Sequence, residues 1–178
     1  LEQQNGSFNA GIFTELAPGL ADQLNDQSKS PDLVAQWRSV HDWGHVQVAG
    51  VARNLAFETL GTAGNKPSGS RFGWGINLTG IINTFGRDQI KYGLTFGDGI
   101  ASFINDGGGS NLAPELRNGQ VREVAMSSLG FMLYYDHYWS DKWSSSIGYS
   151  QNDNDLTNLQ ISDQPDKVSY ASTNLFYT

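Results

Sequence analysis

Residues 71–96 alternate almost without a break between large apolar side chains and small or polar ones. Before the glycine turn at 85–87, Phe72, Trp74, Ile76 and Leu78 are separated by two Gly and one Asn. After that turn, Ile90, Tyr92, Leu94 and Phe96 are separated by Lys, Gly and Thr. Successive side chains of a strand point to opposite faces of a sheet. The pattern therefore predicts a hairpin with one apolar and one polar face.

The same two-residue period recurs along the chain, and no stretch shows a useful helical period. Besides the two arms of this hairpin, 71–84 and 88–97, the predicted strands are 7–16, 32–41, 45–57, 122–139, 142–151 and 167–178. These stretches predict an all-β fold of about eight antiparallel strands, several of them close to the length that a tilted membrane strand needs.

Connections between these strands alternate strictly in length. Turns at 42–44, 85–87 and 140–142 are short, whereas the segments between them are long and polar. Short turns at one end and long loops at the other are typical of an antiparallel transmembrane β-barrel. Chance alternation over so few connections is the alternative.

Alternation alone does not decide which face meets water, because a soluble barrel turns its apolar face inward and a membrane barrel turns it outward. Glycines crowd the polar face, and aromatic residues cluster near the short turns, as in the interfacial girdles of membrane proteins. Both features favour lipid. The residues predicted to face lipid are Leu33, Trp37, Val46, Val48, Phe72, Trp74, Ile76, Leu78, Ile90, Tyr92, Leu94, Phe96, Leu129, Phe131, Leu133, Ile147 and Tyr149.

Residues of the opposite face are then predicted to line a wet interior. They are Gln36, Arg38, Gln47, Arg53, Asn77, Thr79, Gln89, Lys91, Thr95 and Asp136. The alternation falters in 45–57, where Val51 and Leu55 fall on the side of Gln47 and Arg53; a β-bulge near Ala49 and Gly50 would restore it.

Charge sets limits on the partners of this chain. Its formal net charge of −7 argues against nucleic acid, which needs a basic surface. The acidic excess lies largely in the loops, whereas Arg38, Arg53 and Lys91 fall on neighbouring predicted strands. In a lumen these bases would form a ladder that attracts small anions. The alternative is that they pair with carboxylates such as Glu15 or Asp136 and only brace the wall.

No pattern of catalytic or metal-binding residues stands out. His41, Asp42 and His45 flank a short turn, and Asp136 precedes His137, but packing explains both better than a metal does. Oxygen-rich residues at 152–155 do not follow the spacing of a calcium loop. Cysteine is absent, and no catalytic triad is evident. The expectation is a chain without enzymatic activity, metal or cofactor.

Several strings in order resemble one family of proteins. They are PDLVAQWR, DWGHVQVAGVARNL, GWGINLTG, FGDGI and YDHYWSDKWSSSIGYS, which run from residue 31 to residue 150. Together they resemble the DcaP-like porins of the Gram-negative outer membrane. The resemblance implies a homotrimer in outer-membrane lipid, each subunit a barrel of about sixteen strands that passes small, often anionic solutes by diffusion.

This chain holds only about half of the strands that the resemblance implies. Residues 1–178 are therefore expected to form a single partial barrel domain, without the N-terminal half and the last strands of the family. The alternative is a complete small barrel of about eight strands, whose interior side chains fill. Such a barrel would serve as a ligand-binding, adhesin or enzyme module.

Overall fold

The computed structural model describes residues 24–28, 30–59, 69–104, 111–118, 120–158 and 166–178. These residues form ten strands and one short 3₁₀ helix at Ala101–Phe103. The strands are β1 Leu24–Ser28, β2 Leu33–His41, β3 Gly44–Thr59, β4 Gly69–Asn83, β5 Gln89–Asp98, β6 Leu112–Arg117, β7 Gln120–Ala125, β8 Ser127–Tyr138, β9 Trp143–Asn154 and β10 Lys167–Tyr177. Within the described ranges, no helix is long and apolar enough to cross a membrane.

One antiparallel sheet holds eight of these strands in the order β1-β3-β4-β5-β8-β9-β10, with β2 also paired to β3. β2 pairs with residues 44–52 of β3 and β1 with residues 55–59, so both strands lie along the same edge. β6 and β7 form a separate two-stranded sheet. Over the described residues β2 and β10 are not paired with each other, so the sheet is open rather than a closed barrel.

The antiparallel all-β fold predicted from the sequence is confirmed, with one wrong strand and two missed ones. Stretch 122–139 is two strands in different sheets, because the buried Met126 interrupts it. The Met126 amide donates to Asn111 O and its carbonyl accepts from the Gly99 amide, so it leaves the ladder. β1 and β6 lie in segments predicted as loops, and the predicted strand at 7–16 lies outside the described residues.

The three short turns all lie at one end of the sheet. They join β2 to β3, β4 to β5 and β8 to β9. The strand ends that the longer connections join, after Thr59, Asp98 and Asn154, lie at the opposite end of the sheet. The predicted alternation of short and long connections is therefore present in the described sheet. The end with the short turns is the short-turn end, and the opposite end is the long-loop end.

Pairing is in register from β2 to β10, which gives the sheet two distinct faces. The residues predicted to face lipid share one of them, the apolar face. For example, Val48, Leu78, Leu94 and Phe131 lie side by side in one row across four strands. None of the residues in the predicted lipid-facing set is buried, and Leu33, Phe72 and Ile147 are more than half exposed, at 73%, 68% and 62%.

The opposite face, called the polar face, is covered near the long-loop end by residues 99–104, the cap segment, and by the β6–β7 hairpin. Ile100 lies over Gly75, and Ile104 lies over Gly130. The β3 ladder runs without the expected bulge at Ala49 and Gly50, so that expectation is wrong. Val51 and Leu55 do lie on the polar face, where Ile100 and Leu112 cover them.

Two tyrosine side chains cover glycines of the neighbouring strand. Tyr134 on the polar face covers Gly148, and Tyr92 on the apolar face covers Gly80. A Cβ at either glycine would overlap the tyrosine side chain. Glycine is therefore required at both positions because the tyrosine packs against the backbone, and not because of an unusual backbone conformation.

Gly148→Ala is expected to destabilise the fold by about 1–3 kcal/mol, the usual cost of overpacking. Gly50→Ala is the matched control, because its added methyl would meet only Gly75 O at 3.8 Å. Thermal unfolding of the refolded variants measures the difference. Equal stability of the two variants would contradict the packing of Tyr134 on Gly148.

Candidate functional site

The residues predicted to line an interior all lie on the polar face of the sheet. Their register partners place Gln36, Arg38, Gln47, Arg53, Asn77, Thr79, Gln89, Lys91, Thr95 and Asp136 on that side. Several of them bond to one another. Asn77 Nδ2 donates to Thr95 Oγ1 at 2.6 Å, and Gln47 Nε2 donates to Gln36 Oε1 at 3.4 Å.

Arg53 clamps the cap segment onto this face. Its Nη1 donates to Gly99 O and to Ser102 Oγ, both at 3.0 Å, and its guanidinium lies 4.8 Å from the centre of the Phe103 ring. Gly99 has a φ of +70°, which favours glycine and helps the chain turn back over the sheet. Arg53 is 3% exposed, and its charge is balanced by Asp32 at 3.0 Å.

Lys91 is also paired. Its Nζ lies 2.5 Å from Asp136 Oδ2, across the β5–β8 ladder. Arg53 and Lys91 therefore form ion pairs with carboxylates, which is the alternative to a basic ladder. The Arg53 partner, Asp32, was not anticipated from the sequence, and Glu15 lies outside the described residues. Of the three predicted bases, Arg38 is the exposed one without an ion pair among the described residues.

A cleft of about 480 Å³ lies on the polar face beside the cap segment. Its polar lining includes Asn77, Thr79, Thr95, Ser150 and Asn152. Its apolar lining includes Phe103, Ile104, Met132, Tyr134, Val168 and Tyr170. Phe103 also borders a second, smaller cavity of about 210 Å³ whose lining includes Val34, Val51 and Ile100. The cap segment therefore divides the space above this face.

Sequence reasoning found Asn77, Thr79 and Thr95 of this cleft but missed the aromatic residues and the cap segment. One signal was present. Residues 100–104, IASFI, are an apolar island within a long polar connection. An apolar island in a loop tends to pack against the body of the protein. The local sequence pattern does not show that this segment packs on the polar face.

A second cluster surrounds Asp88 at the short-turn end. The Tyr135 hydroxyl donates to Asp88 Oδ2 at 2.6 Å, the Tyr138 amide donates to Oδ1 at 2.9 Å, and His137 Nδ1 lies 2.6 Å from Oδ2. These contacts, with the Tyr135 bond the largest, lower the pKa of Asp88 from 3.8 to about 2. Stabilisation of the carboxylate by donors explains the direction.

Aromatic contacts extend this cluster. The rings of His137 and Trp139 meet edge to face with centres 4.2 Å apart, and Arg87 lies 4.4 Å from the centre of the Tyr138 ring. Among the described residues, His, Asp and Glu side chains nowhere gather in a group of three or more able to hold a metal. The hydrogen bonds of Asp88 tie the β4–β5 turn to the end of β8.

Comparison of the chain with family models, with curated proteins and with solved structures finds no match.

Asp88→Asn is expected to lower the unfolding temperature at neutral pH, because the amide replaces a charged acceptor of three contacts. Since the folded pKa is depressed, the stabilisation is present above pH 3.8 and is lost as the pH falls through about 2. Thermal unfolding at a series of pH values should show the two proteins converging over that window. Asp141→Asn, at an exposed carboxylate, is the control, and a constant difference between Asp88→Asn and the unmodified protein would contradict the assignment.

Proposed function

We propose that this chain forms part of an outer-membrane β-barrel porin of a Gram-negative bacterium, through which small hydrophilic solutes pass by passive diffusion. The observation that carries the proposal is the reversed burial of the sheet. Its apolar face is bare, with Leu133 54% and Ile147 62% exposed, while its polar face buries Arg53 under a folded-in segment. A soluble sheet covers its apolar face, whereas a membrane barrel presents that face to lipid.

Aromatic side chains at the short-turn end support the same proposal. Trp43, Phe85, Trp139, Trp143 and Tyr177 are all exposed there. Trp and Tyr prefer the boundary between hydrocarbon and headgroups, because each ring has an apolar body and a polar edge. This arrangement is what a periplasmic girdle of a barrel requires.

The open edges support a barrel larger than the described sheet. β2 and β10 each leave one side of their backbone unpaired over the described residues. Lipid tolerates no unpaired strand edge, so further strands must close the sheet. The resemblance to DcaP-like porins accounts for such strands and favours a homotrimer.

Solute choice in this proposal follows from charge and width. The exposed Arg38 is the remaining support for a preference for anions, because Arg53 and Lys91 are balanced by carboxylates. The cap segment narrows the wet side of the sheet and selects by size. No catalytic step or cofactor is involved.

Adjacent residues of β8 test which face meets lipid. Leu133 on the apolar face is 54% exposed and Met132 on the polar face is 40% exposed. Leu133→Arg is expected to destabilise the folded barrel by about 2–4 kcal/mol, because it places a charge in hydrocarbon, while Met132→Arg has a smaller effect. Refolding into lipid vesicles, followed by the heat-dependent shift in gel mobility, measures the folded fraction. If both variants fold equally well, the apolar face does not contact lipid.

Ion selectivity tests whether the polar face lines a pore. The natural full-length protein is placed in planar bilayers under a salt gradient. Asp136→Asn leaves the Lys91 charge unbalanced and should move the reversal potential towards anion preference, while Lys91→Gln should move it towards cations. The double variant should return close to the original value.

Arg87→Gln, at the short-turn end, is the control for this series. Conductance steps that close in threes would support the trimer. A folded protein that never conducts would overturn the porin proposal. Identical reversal potentials in all variants would show that the Lys91–Asp136 pair does not line the pore.

A further inference from the structure

The cleft beside the cap segment has a lining without formal charge. Its described lining contains no Asp, Glu, Lys, Arg or His. Two bases next to lining residues are paired: Arg53, which contacts Phe103, is buried against Asp32, and Lys91, which lies opposite Tyr134 in the ladder, is paired with Asp136. A charged solute entering the cleft would lose water without gaining an opposite charge, which is costly.

Polar groups line the part of the cleft formed by the strands. Asn77 and Thr95 lie opposite each other on β4 and β5, and Thr79 and Ser150 belong to the next row along the sheet. Hydroxyl groups both donate and accept hydrogen bonds, as amide groups do through two different atoms. Such a surface can donate hydrogen bonds to the hydroxyl groups of a solute and can also accept hydrogen bonds from them.

Flat apolar surfaces complete the cleft. The Tyr134 ring is held flush with the wall because Gly148 beneath it has no side chain. Tyr170 projects from β10 on the same face, and Phe103 approaches from the cap segment. Aromatic rings suit a ligand that has an apolar face of its own, and ligand sites typically combine such surfaces with a few polar groups.

We propose that this cleft is a binding subsite for an uncharged, polyhydroxylated ring, the chemistry of a sugar. A pyranose has apolar C–H faces to lie on Tyr134 and a rim of hydroxyl groups for the Asn, Thr and Ser side chains. The cleft volume of about 480 Å³ lies within the usual range of small-molecule sites. The inference rests on the proposed function in that the cleft must open to a wet lumen.

Two measurements on the natural full-length protein separate the subsite from the pore. Saturation-transfer NMR of the detergent-folded protein reports binding of glucose whether or not the protein conducts. Current block in planar bilayers reports the same sugar in the pore. Glucuronate is the matched probe, because it keeps the ring and adds one carboxylate. We expect glucose to bind and to reduce the current in a saturable way, and glucuronate to bind more weakly.

Tyr134→Leu should raise the half-saturating glucose concentration about tenfold, because it removes the aromatic platform. Tyr92→Leu is the matched control, since Tyr92 also lies on a glycine but on the apolar face. Phe103→Leu, in the cap segment, is a second variant that leaves the wall intact, and it should also weaken binding.

Each failure points to one proposal. A conducting protein that shows no glucose signal, or that binds glucuronate more tightly, overturns the subsite and leaves the porin standing. A non-conducting protein whose glucose signal is lost in Tyr134→Leu and kept in Tyr92→Leu supports the subsite and overturns the porin. If Tyr134→Leu fails to fold, unchanged binding by Phe103→Leu overturns the subsite.

Discussion

Backbone pairing between long antiparallel strands is the constraint on which the rest of the structure depends. From β2 through β10 the ladder keeps one register, so every side chain is assigned to a face by its position alone. A slip of one residue would move the apolar set to the other side. The bare apolar face, the cleft and the ion pairs of the polar face all follow from this assignment.

Two of the three predicted bases of the polar face, Arg53 and Lys91, are paired with carboxylates, and Arg38 is exposed. Arg53 serves the cap segment and Asp32 at once, and Lys91 meets Asp136 across a ladder. Burying the Arg53 guanidinium without Asp32 would cost several kcal/mol, so this pair depends on both partners. The space beside these pairs is thereby left to neutral polar groups and aromatic rings, which sets the chemistry that the cleft offers.

Much of the main sheet could be predicted from local pattern, because alternation and turn residues are local properties. The strands at 71–84 and 88–97 and the turn between them are examples. The split at Met126 could not be predicted, because the apolar pattern of 122–139 is mixed and methionine is compatible with a continuous strand. The landing of 100–104 on the polar face and the pairing of Arg53 with Asp32 depend on contacts between distant segments, which no short window contains. β1 has a polar sequence, LNDQS, that carries no alternation at all.

The clamp on the cap segment also bears on the order of folding. Arg53 and Gly99 are separated by 46 residues in the chain, and the strands β4 and β5 lie between them. We expect such a contact to form after the intervening β4–β5 hairpin has closed, because distant contacts carry the larger loop-closure cost. The strands beneath the cap segment would then be paired before that segment settles on them. The cleft beside the cap segment would be open during folding and would take its final shape last.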